Sequence, residues 1–294
     1  VSTAQIAAID ELAANLSTAA TRALNSAQIA ALTTDGAQSL TSVQVGLLTS
    51  VQIAGMETVD VAALSSVQVG AISSSAIAGV TTAQIAAIDE LAGSLATTAV
   101  RVLNSAQVAS LTTDGVSALT SAQVGAIATA AVGALSTAQI ALLATASLAG
   151  LTTAQVRVIS STQLAALTTE QVTVLSTAQI RSLTSSQVIG LETQDAAVLS
   201  STQLTALSTN VIASLTTATI NALTTAAIAG FTSSQLTKLT TVQTLAITSD
   251  QLGAFTTASL EAFTSVQANA FTTTQLAGLT VGYPQYNALF SANN

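Results

Sequence analysis

Residues 167 to 190 read LTTEQVTVLSTAQIRSLTSSQVIG, one eight-residue phrase written three times. The octad runs Leu, Ser or Thr, Ser or Thr, a variable residue, Gln, an aliphatic residue and two small ones, and its frame holds from Leu95 to the octad that starts at Phe271. Upstream the same frame runs from Leu16 through Val80. The phase breaks are two seven-residue units, IDELAAN at 9–15 and IDELAGS at 88–94, carried by matching segments that begin at Val1 and Val80. A chain built this way cannot form an ordinary core. Each unit is too short to stand alone and must stack on its neighbours, as in a solenoid.

An octad is either a strand with its turn or a short helix with its cap, and the chemistry of each position favours the helix. With Leu167 at N′ and Thr168 at the N-cap, Gln171 falls at N3 and Val172 at N4. That is the spacing of a capping box and of a hydrophobic staple together. The charges follow the helix dipole, with Glu261 the one acid found late in an octad. Asp35, Asp114, Glu170 and Asp250 stand at position four, Asp60 and Asp195 at five, Glu57 and Glu192 at two; Arg22, Arg101, Arg157, Arg181 and Lys238 stand at seven or eight. Glycines such as Gly55, Gly79, Gly150, Gly190 and Gly230 also fall late in the octad, where a C-cap takes them. The alternative is a β-solenoid with two octads per coil, since Thr, Val and Ile favour strands. Against it, positions one and six have opposite parity and would face opposite sides of an extended strand.

The expected fold is therefore all-α: a superhelix of short N-capped helices, two or three octads per coil. Positions one and six point into an aliphatic core, and small residues at four, seven and eight allow backbones to approach. The array is read as one continuous solenoid over 1–281, followed by a non-repeat aromatic tail at 282–294.

Composition excludes several kinds of chemistry. With no His, a Ser/His/Asp triad cannot form, and no Gly-rich phosphate loop is present, so no enzyme activity is expected. No Cys is available for disulfides or thiolate sites. The pairs Asp10/Glu11 and Asp89/Glu90 supply too few oxygens for a hard cation and read as acidic first turns of the seven-residue units, which adjust superhelical phase. No metal or cofactor is expected. A net charge of -8 with scattered cations gives no nucleic-acid surface. Polar residues interrupt every apolar run, so no membrane span is expected. The start at Val1, without Met, is what a processed secreted product would show.

The tail VGYPQYNALFSANN holds both Tyr and the only Pro, and Phe replaces Leu at 231, 255, 263 and 271. An uncapped N-terminal coil and an aromatic tail invite head-to-tail contact between copies. The expected subunit contact joins Val1, Ile6, Ile9 and Leu12 of one copy to Tyr283, Pro284, Tyr286 and Phe290 of the next, the alternative being a tail that caps its own last coil.

From Val1 to Gly278 the octads resemble the LTTAQ-type repeats of large secreted bacterial proteins, labelled adhesins or haem-utilisation proteins. The resemblance implies an extracellular or cell-surface protein. Its haem label transfers poorly, because Met56, Tyr283 and Tyr286 are the sole residues of axial-ligand type. The expected function is a structural subunit of an extracellular filament or sheath, with itself as partner. The alternative is a binding module whose Thr/Gln ladder contacts a glycan, a host surface or ice.

Overall fold

The computed structural model describes residues 2–279 and 284–291. They form short helices with no strand among them, one helix to each octad. The helix begins at position three after an extended N-cap at position two. At Thr168 the hydroxyl accepts from the Gln171 N–H at 3.2 Å, and Gln171 Oε1 accepts from the Thr168 N–H at 2.8 Å. Helices of four to seven residues are too short to persist alone, so their stability comes from stacking.

The chain divides into two compact units, Val1–Leu151 and Thr152–Asn294. In each, a helix packs on the helix three octads along, which fixes three octads per coil. In the first unit, Ser26–Ile29 packs on Ser50–Ala54, and Ser50–Ala54 on Ser74–Ile77. In the second, Ser201–Ala206 packs on Thr225–Ile228, and Thr225–Ile228 on Ser249–Gly253. Positions one and six fill the space inside the three sides; Leu164, Leu167 and Val172 are buried. Late in the second unit, Phe255, Phe263 and Phe271 occupy position one in successive octads. Their rings meet edge to face inside the coil, with centroids 5.6 and 5.3 Å apart.

Position four differs from expectation. Val43, Val51, Val59, Val67, Val242 and Val266, all at this position, are exposed, so position four is not where backbones approach closely. Nor do the late glycines act as left-handed C-caps. No described glycine has positive φ, and Gly55, for example, has φ -79. They are small because a neighbouring coil is near. A methyl group on Gly79 would stand 2.3 Å from the Ser50 carbonyl oxygen, and one on Gly190 would stand 2.0 Å from that of Ser161.

The two seven-residue units leave the coil intact. Each forms a 3-10 helix, Asp10–Asn15 and Asp89–Ser94, and fills one side of a coil with one residue fewer. Thr34–Ser39 packs on the first and Thr113–Ser117 on the second. The junctions are tight. Asp10 and Asp89 take φ of 39° and 47°, where a side chain is disfavoured, and the Oδ1 of each accepts from the hydroxyl of Thr33 or Thr112 one coil on. Gly36 and Gly115, from the two TDG segments, leave room for these aspartate backbones. A methyl group on Gly115 would stand 3.0 Å from the Asp89 carbonyl oxygen.

Candidate functional site: the glutamine ladder and the terminal helix

The repeated glutamine does more than close a capping box. Its Oε1 faces its own N-cap, which leaves the amide Nε2 free to reach backward to the coil beneath. Gln52 donates to the carbonyls of Thr21 and Leu24 at 3.1 and 2.7 Å, and Gln235 to those of Leu204 and Leu207 at 3.0 and 2.8 Å. These acceptors lie 31 and 28 residues back. Where the seven-residue unit intervenes, Gln107 reaches Ile77 and Val80, 30 and 27 back, so the bond geometry survives the missing residue. Carbonyls left over at helix ends need donors, and a buried carbonyl without one costs about 1–3 kcal/mol. One buried side chain therefore caps its own helix and fastens it to the preceding coil.

Most other residues at position five are small, Val211 is a buried aliphatic, and a few carry a hydroxyl. Ser147 donates to the Leu119 carbonyl and Thr219 to that of Leu191, both 28 residues back, which preserves half of the glutamine's reach. Asp60 and Asp195 stand apart: both are buried at 2 % and 0 % exposure, beside Glu57 and Glu192 at the N-cap. Asp60 Oδ1 accepts from the Thr34 hydroxyl at 2.9 Å, its Oδ2 has no partner, and neither oxygen of Asp195 has one. Burial raises both carboxyls above the ordinary range, helped by the adjacent glutamate charge in each case, and pushes Asp195 up to about 6.

The residues expected at a subunit contact fall into two places. At the amino-terminal coil, Ile6 is buried, Ile9 is half-buried and Leu12 is 63 % exposed. At the other end, Pro284–Ser291 forms a helix that packs on Thr257–Leu260 and Ser265–Ala268 of its own chain, burying Ala288 and Leu289. Gln285 Nε2 donates to the Gly253 and Phe255 carbonyls at 3.3 and 3.0 Å, imitating the ladder. Pro284 is exposed, Tyr286 is 49 % exposed and Phe290 half-buried, the two rings 5.0 Å apart. Val1 and Tyr283 lie outside the described residues.

Among the described residues no group of three or more His, Cys, Asp or Glu could hold a metal ion, and no helix is long and apolar enough to cross a membrane. A repeating polar ladder around an aliphatic core defines a capped-helix solenoid. The chain carries the ALTTAQ repeat, matched over residues 53–89, 140–177 and 244–281. No curated protein matches it.

Proposed function

We propose that this protein is a structural subunit of an extracellular filament or sheath, lengthened by head-to-tail association of its own copies. The observation that carries this reading is the polarity of the coil. One edge of a coil offers glutamine amides and the other the carbonyls they fit, so the two edges are complementary between copies as between coils, apart from the Gly253 and Phe255 carbonyls that Gln285 of the terminal helix already takes. Such a heterologous contact does not consume its own binding surface and can run on as a fibre. Leu12 and Ile9 on one side, with Pro284, Tyr286 and Phe290 on the other, supply the apolar part of the contact. The terminal helix presents these three while Leu289 anchors it to its own coil.

The test is negative-stain microscopy of the purified chain beside Leu12→Asp and Tyr286→Asp. Uniform fibres from the parent, with both variants folded but dispersed, are expected. Separate short particles from the parent would overturn the filament and favour the binding-module reading, in which the ladder presents hydroxyls and amides to a glycan or cell surface.

A further inference from the structure

Where a buried residue at position five is neutral and polar, it donates a hydrogen bond to the coil beneath, whereas Ala76, Ala99, Ala131 and Val211 fill the same position with no polar group at all. Glutamine supplies N–H, and Ser147 and Thr219 supply O–H, each to the position-one carbonyl 28 residues back. An ionised carboxylate has only acceptors, and by the same register Asp195 sits over the carbonyls of Leu164 and Leu167. It bonds to neither, and both of its oxygens are buried without partners. No cationic side chain compensates a negative charge here; the Glu192 backbone N–H and the start of a four-residue helix favour it, but burial outweighs them. Its helix, Thr193–Ala196, packs on Thr169–Thr173 and Thr217–Ala222. The ionisable side chains on these elements and at the N-cap are Glu170 and Glu192, both acidic.

We propose that Asp195 works as a neutral carboxylic acid, its own proton replacing the glutamine amide that fastens one coil to the coil beneath, so that ionisation loosens the solenoid at this level. The carboxylic O–H then does what the hydroxyls of Ser147 and Thr219 do. Glu192 contributes by making a second negative charge three residues away unfavourable. Asp60 repeats the arrangement in the first unit beside Glu57, with the exposed Asp35 on the helix Thr34–Ser39 packed against its own. There the Thr34 hydroxyl stabilises the charged form, and the response is weaker.

The sign of the linkage is the reverse of the common carboxylate case. A carboxyl raised from 3.8 to about 6 in the folded chain binds its proton on the order of a hundredfold more tightly than in the unfolded chain. Its contribution is full below the unfolded value and is lost as pH rises through the folded one. Coil stability near Asp195 thus falls as pH rises from about 4 to a little above 6 and is level by neutral pH.

The experiment compares thermal unfolding of the full chain with that of Asp195→Asn from about pH 4 to about pH 8. Asparagine supplies the N–H donor without a titration, and the difference between the two proteins cancels all other carboxyls. The parent midpoint should fall relative to the variant as pH rises, and the parent-minus-variant infrared difference spectrum at about pH 5.5 should show a protonated-carboxyl band that disappears at neutral pH. Asp195→Ser, built on the Ser147 precedent, serves if the Asn variant does not fold. Parallel pH profiles, or no carboxyl difference band, would overturn the proposal. So would recovery of the parent alone by sodium or calcium at the alkaline end, since a cation would then occupy the place given to the proton.

Discussion

At Gly190 a single methyl group would decide whether two coils can meet. Its position, 2.0 Å from the Ser161 carbonyl oxygen, leaves backbone against backbone with no flexible side chain to yield. Overpacking of this kind costs about 1–3 kcal/mol, and Gly190→Ala should lose that much in denaturant unfolding. Gly46→Ala is the control: its methyl group would stand 3.3 Å from the Ala71 carbonyl oxygen, and alanine is favoured over glycine in a helix by about 0.5–1 kcal/mol. The two effects should nearly cancel there, leaving stability unchanged within about 0.5 kcal/mol. Equal losses at both sites would mean that close coil approach does not govern these glycines. Sequence placed the glycines late in the octad but assigned them to the wrong cause. A residue lacking Cβ serves a left-handed cap and a crowded backbone equally well, and the letter alone cannot separate the two.

The helix, as an element, was legible because its signals are local. Cap, box and staple all lie within five residues of one another, and Thr168, Gln171 and Val172 adopt the roles their spacing implies. Replacing Thr168 and Ser176 with Ala should cost about 1 kcal/mol per cap, whereas Thr168→Ser should be nearly silent; thermal unfolding of the variants distinguishes these outcomes. The second half of the glutamine's role was not legible, because Nε2 finds its partners 28 and 31 residues back and no eight-residue pattern encodes that distance. For the same reason the pairing of each IDEL unit with the TDG segment after it could not be read from either motif. That pairing holds Asp89 at φ 47°, a conformation costing a non-glycine residue roughly 1–2 kcal/mol. Asp89→Gly and Asp89→Ala both lose the bond from Thr112, but only glycine relieves the backbone. The Ala variant should be the less stable by about that margin, and equal stabilities would show that the Thr112 bond alone matters.

For the molecule as a whole, the central claim is that each coil holds three octads and that buried glutamines tie it to the coil beneath. The sequence allowed two or three, since every octad is locally equivalent and its hydrophobic period is the same in either case. What selects three is the match between a glutamine amide and carbonyls one coil back, preserved even where a seven-residue unit removes a residue. The absence of native cysteine makes the claim directly measurable by paired spin labels. Val43, Val59 and Val67 all occupy position four and face solvent. Helices Ser42–Leu47 and Ser66–Ala71 pack together one coil apart, whereas Thr58–Ala62 lies on another side of its coil. Labels at Val43→Cys and Val67→Cys should therefore show strong dipolar broadening, as expected for packed helices about 8–10 Å apart, and labels at Val43→Cys and Val59→Cys should show much less. Stronger coupling for the 43/59 pair than for the 43/67 pair would place two octads in each coil and contradict the account.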